Sequence, residues 1–87
     1  MLLKYGTMTV TKRLGTWEEA SGLLLAVVEA YPYLTLDFGD LHVIIRSEEA
    51  NSIKGILDEK LIGKRISVLR TDLHDEPILV REHLDRY

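Results

Sequence analysis

The chain contains no cysteine, which excludes disulfides, thiolate metal sites and thiol nucleophiles together and fits a reducing compartment. Proline is almost as scarce: Pro32 and Pro77 are the only two, and both punctuate the borders of apolar runs rather than their interiors. The six glycines are scattered, none in the G-x-x-x-x-G-K spacing of a phosphate loop, which argues against nucleotide hydrolysis. Long hydrophobic runs are missing too. No stretch approaches the roughly 20 residues that cross a bilayer, and Met1 to Thr7 is not continuously apolar, so a cytoplasmic location without a membrane partner is expected. Nor is there an excess of positive charge: 11 Lys and Arg against 14 Asp and Glu leave a net charge of −3, and no basic field advertises nucleic acid or a membrane surface. What remains is 46% hydrophobic and 29% charged over 87 residues, enough apolar material for one core and too little length for two. A single domain over 1–87 is expected, with 1–15 an N-terminal extension or extra strand and 82–87 a charged tail that frays.

The clearest unit runs from Tyr33 to Arg46. Leu34, Leu36 and Phe38 alternate with Tyr33, Thr35 and Asp37; after Gly39-Asp40, Leu41, Val43 and Ile45 alternate with His42, Ile44 and Arg46. A two-residue turn at Gly39-Asp40 pairs Phe38 with Leu41, Leu36 with Val43 and Leu34 with Ile45, placing all six large apolar residues on one face of a β-hairpin. Ser47 followed by Glu48-Glu49 reads as an N-cap with acids in a first turn. Ile53, Ile56, Leu57 and Leu61 recur at the spacing of one helical face, Gly55 weakens that helix, and Gly63 stops it, so a helix is expected near 48 to 61. Lys64 to Arg70 reads as a strand, Thr71 to Glu76 as a polar loop, and Ile78 to Val80 as a last strand. Thr7 to Thr11 has the alternation and β-branching of an early strand.

Thr16 to Tyr31 supports two readings. Thr16 and Glu19 make a capping-box spacing, and Trp17, Ala20, Leu24, Val27, Val28 and Tyr31 would line one helical face. Against a helix, Leu23 to Val28 is apolar all round and carries adjacent valines, as a strand buried on both faces does, and Gly22 could mark a bend or bulge. The strand is the reading preferred for most of 23 to 30, with Leu23, Leu25 and Val27 on one side and Leu24, Ala26 and Val28 on the other. Trp17 reads as a packing residue.

With the strand, the order from residue 22 is three strands, a helix and two strands. This order, the turn-rich Tyr31-Pro32-Tyr33 link and the stretch Leu61 to Ile66 resemble a small five-stranded OB-fold barrel over about residues 20 to 82. The string Ile62 to Asp72, followed by Pro77 to Arg81, is also similar to small prokaryotic, especially archaeal, proteins of uncharacterised function, a likeness that implies no activity. With the helix, residues 7 to 70 follow the strand-helix-strand-strand-helix-strand order of an α+β ferredoxin-like sandwich.

The OB resemblance implies ligand binding across the second and third strands. There the hairpin would turn Tyr33, Thr35, Asp37, His42, Ile44 and Arg46 outward, with Tyr31 nearby. Aromatic rings stack on unpaired bases and guanidinium groups meet phosphates, so Tyr31, Tyr33, His42 and Arg46, with Lys64, Arg65 and Arg70 on or beside the next strand, are the candidate residues for single-stranded nucleic acid or structured RNA. Such residues also suit an ordinary solvated sheet face or a charged strand edge. Lys4, Lys12 and Arg13 form a second, weaker basic group. Asp72, His74, Asp75 and Glu76 offer oxygen and imidazole donors in one loop, but at no spacing of a specific metal site. No nucleophile-elbow context surrounds any serine or threonine. A non-enzymatic domain without cofactor or metal is therefore expected. The competing class is a protein-interaction module or homo-oligomeric subunit, for which Ile44, Leu69 and Leu79 could be left exposed on outer faces.

Overall fold

Alternation governs the middle of the molecule as the sequence requires. In the computed structural model, which describes residues 9–51 and 53–83, Tyr33–Asp37 (β4) pairs antiparallel with Leu41–Arg46 (β5), setting Leu34 opposite Ile45 and Leu36 opposite Val43. Phe38 N–H donates to the Leu41 carbonyl at 2.8 Å across the Gly39-Asp40 turn. Gly39 takes a positive φ of 91° there, a conformation that glycine adopts without Cβ strain. Leu34, Leu36, Phe38, Val43 and Ile45 are buried and Leu41 packs against them.

Residues 16–31 are not helical: turns at 16–17 and at Tyr31 flank two stretches of strand. Glu19–Leu23 (β2) and Ala26–Ala30 (β3) are separate strands, which overturns the ferredoxin-like alternative and the capping-box reading of Thr16 and Glu19. The chain changes sheets at Leu24-Leu25. Leu24 N–H donates to the Lys64 carbonyl at 2.9 Å and Leu25 N–H to the Asp37 carbonyl at 2.7 Å. This switch corrects the expected alternation: Leu24 is buried, yet Val27 rather than Ala26 shares the inward register of Leu36. A run that is apolar throughout suits a segment whose inward face changes partway along.

Two sheets result. One is four-stranded in the order β1-β5-β4-β3, where β1 is Val10–Arg13 and runs parallel to β5. The other is three-stranded in the order β2-β6-β7, where β6 is Arg65–Arg70 and β7 is Ile78–Glu82, all antiparallel. No pairing closes them into one barrel among the described residues. Their inner faces share one core, with Leu34, Leu36 and Val43 from the first sheet and Ala20, Ile66, Val68 and Ile78 from the second. Burial of these side chains, at about 25 cal/mol per Å² of apolar surface, is the main force holding the sheets together.

The expected continuous helix is broken into a 3-10 turn at Ser47–Ala50, a short α1 at Lys54–Ile56 and a π turn at Leu57–Leu61. Ala50, Leu57 and Leu61 are buried and Ile53 is partly so, while Ile56 is 51% exposed; it sits about 100° around the helix from Leu57 and leaves the buried stripe. Ser47 does not cap: its side chain is buried and Oγ has no hydrogen-bond partner. Trp17 corrects the packing expectation, being 56% exposed with a φ of 64°. Thr7 and Met8 of the early strand lie outside the described residues. In the anticipated tail, Glu82 belongs to β7 and His83 N–H donates to the Arg65 carbonyl at 2.8 Å, while 84–87 lie outside. No helix among the described residues is long and apolar enough to cross a membrane.

Candidate functional site

Cross-strand partners share a face, so the register lays out the outer surface of the four-stranded sheet in rungs. Thr11, His42, Asp37 and Ala26 form the first; Arg13, Ile44, Thr35 and Val28 the second; Arg46, Tyr33 and Ala30 the third. Reaching over β5, the Arg13 guanidinium lies 5.6 Å from the centroid of the Tyr33 ring, within the distance at which the ring quadrupole attracts a cation. Arg46 neighbours the same ring and pairs with Glu48 at 3.2 Å. Tyr31, in the turn that follows β3, is 84% exposed. One end of the face thus carries Tyr33 and two arginines, with apolar Ile44 and Val28 beside them and the exposed Tyr31 in the adjoining turn.

At the other end, His42 Nε2 lies 3.2 Å from Asp37 Oδ1, and that oxygen also accepts the Gly39 N–H at 2.7 Å. The Asp37 charge is engaged by the turn and the imidazole, which reduces its repulsion of an anion on the face. Arg13 has no carboxylate partner among the described residues, so its charge is available. Chemically, the arrangement offers π surfaces for stacking and guanidinium donors for phosphate oxygens.

The seven residues nominated from sequence do not gather on one surface. Tyr33, His42 and Arg46 lie on this face with Tyr31 at its end. Arg65 belongs to the outer face of the other sheet, across the core, and Lys64, just before β6, pairs with Glu82 at 3.6 Å. Arg70 is turned to structural work: Nη1 donates to the Leu14 carbonyl and Nη2 to Glu49, both at 3.2 Å, tying the chain after β1 and the 3-10 turn to β6. Conversely, Arg13 was legible only as part of a weak basic group. Nothing local in sequence says that β1 pairs parallel with β5, a contact made across about thirty residues of chain. Lys4 lies outside the described residues.

Glu48, Glu49, Thr71, Asp72, His74 and Pro77 help line an open concavity of about 370 Å³. Its loop is braced internally, Thr71 Oγ1 donating to the Glu76 carbonyl and accepting the Leu73 N–H. Among the described residues no group of three or more His, Asp or Glu is disposed to hold a metal ion. The chain matches no protein-family model, and comparison with curated proteins and with solved structures yields no match.

Proposed function

We propose that this chain is a small non-enzymatic binding domain that takes single-stranded nucleic acid, or an unpaired stretch of structured RNA, on the outer face of the four-stranded sheet. The observation that carries the reading is Arg13 held over Tyr33 beside Arg46 and the exposed Tyr31. Bases stack on the aromatic and guanidinium surfaces, and phosphates meet the two arginines. The architecture is read as an OB-like barrel left open. Support comes from the strand order and from the divided first strand, which pairs with β6 through β2 and with β4 through β3. The acidic total makes affinity depend on this local constellation rather than on a general field, so binding is expected at low salt.

A fluorescence titration with labelled mixed-sequence single-stranded DNA and RNA tests it. Saturable binding is expected with Kd on the order of tens of micromolar. Tyr33→Ala and Arg13→Ala should each weaken it about tenfold, the loss of one stacking contact, whereas Lys60→Ala should not. Absence of saturable binding at low salt, or equal binding by all variants, overturns the reading.

A second reading, an interaction module, draws on Leu23 and Leu79, the latter 37% exposed, on the outer face of the three-stranded sheet. Light scattering checks it: a concentration-dependent mass that falls to the monomer in Leu79→Lys supports it, and a monomer throughout counts against self-association.

A further inference from the structure

Outward-facing residues of the three-stranded sheet also form rungs: Glu19, Leu69 and Leu79; Ser21, Ser67 and Arg81; Leu23, Arg65 and His83. Leu69 and Leu79, with Glu19, Ser67, Val80 and Arg81, line a concavity of about 280 Å³. Arg65 and Arg81 sit diagonally on neighbouring strands, about 7–8 Å apart at the backbone and closer at the reach of long side chains. They differ from most basic groups of the molecule. Lys12, Arg46, Lys54, Lys64 and Arg70 each have a carboxylate partner, whereas Arg65 and Arg81 have none among the described residues. Between them lies Ser67, buried, with Oγ hydrogen-bonded to His83 Nε2 at 2.5 Å.

Two guanidinium groups on one face, neither paired with a carboxylate among the described residues, repel each other, and an oxyanion between them relieves that repulsion while using their planar donor forks. The leucine wall that continues from Arg81 would be wasted on a bare ion. We propose that this face is a binding site for a small amphipathic phosphomonoester, its phosphate held by Arg65 and Arg81 and its apolar or aromatic body laid on Leu69 and Leu79. The volume lies just below the ~300–1,000 Å³ of drug-sized sites, which sets the ligand's size. Glu19, at the far corner of the concavity, repels a second anionic end. This site is separate from the Tyr33 face and independent of the nucleic-acid reading.

The test is a ¹H–¹⁵N NMR titration at constant ionic strength with phenyl phosphate and, separately, inorganic phosphate. Phenyl phosphate should saturate, shifting the amides of 65–69 and 79–83, and should bind about tenfold tighter than inorganic phosphate through the apolar contact. Arg65→Gln and Arg81→Gln should each weaken it about tenfold while preserving the remaining spectrum, and Arg13→Ala should leave it unchanged. Equal affinity for the two phosphates, no saturation, or unaltered binding in Arg81→Gln overturns the proposal. A 5′-phosphorylated oligonucleotide that shifts the same amides when its unphosphorylated form does not identifies a nucleic-acid end as the source. Shifts with phenyl phosphate alone identify a free small phosphate, and either supports the site.

Discussion

Trp17 occupies a backbone conformation that costs an L residue about 1–2 kcal/mol, and its half-exposed ring does not account for it by burial. The turn itself does. Trp17 N–H donates to the Arg70 carbonyl at 2.6 Å, Glu18 N–H to Gly15 at 3.0 Å, and Gly15 N–H to Glu18 Oε1 at 2.8 Å, so neighbouring bonds fix φ whatever side chain is present. Asparagine tolerates this region better than alanine, and Trp17→Asn should therefore be more stable than Trp17→Ala by about 0.5–1 kcal/mol. Thermal melts check this; equal midpoints would mean that no strain is stored at Trp17. Gly22 is constrained from outside: a Cβ there would lie 3.2 Å from Phe38 Cδ1. Because Phe38 is buried, its ring has little room to yield, and Gly22→Ala should cost about 1–3 kcal/mol by overpacking, measured as a shift in denaturant midpoint without a change in slope.

The segment from Ser47 to Leu61 shows how an element can be recognised in sequence and its form missed. Its buried stripe of Ala50, Ile53, Leu57 and Leu61 follows helical spacing, yet no side-chain cap opens the 3-10 turn or α1. Gly55 is exposed, with nothing within 4 Å of the position its Cβ would take. Gly55→Ala should then stabilise the protein by about 0.5–1 kcal/mol through backbone entropy alone, and an unchanged or lower melting temperature would contradict that account. The hairpin was legible to the residue because alternation and a two-residue turn jointly determine its register. The strand expected over 23–30 was legible from two-sided apolarity and corresponds to β3, whereas Glu19 to Gly22 of β2 carries no such signal, and the change of sheet at Leu24-Leu25 depends on bonds to Lys64 and Asp37 that local pattern does not encode. The candidate site divides likewise: Tyr33, His42 and Arg46 followed from hairpin parity. Arg13 and the inward engagement of Arg70 arise from contacts distant in sequence.

Across the whole molecule, exposed ion pairs link elements that the shared core already holds together. Lys12 pairs with Glu18, linking β1 to the turn before β2, and Lys54 Nζ meets Glu29 Oε2 at 2.8 Å, linking α1 to β3. Both carboxyls are held below their ordinary value of 4.5, Glu18 by the Gly15 N–H and then Lys12, Glu29 by the Lys54 ammonium. A carboxyl depressed on folding contributes stability that is present above its unfolded value and is lost as pH falls through its folded value. The molecule should accordingly hold these contributions at neutral pH and lose them in the acid range below about 4.5. Both pairs are exposed, so each contribution is small and weakens with salt. Glu29→Gln removes the titrating group while keeping its shape. Urea unfolding across the acid range should give this variant lower stability than the parent at neutral pH and a shallower decline below that value, with the two curves converging at the acid end. Parallel curves would show that the Lys54–Glu29 pair adds nothing to the seating of this segment on β3, leaving it to the adjoining π turn, whose Leu57 and Leu61 are in the core.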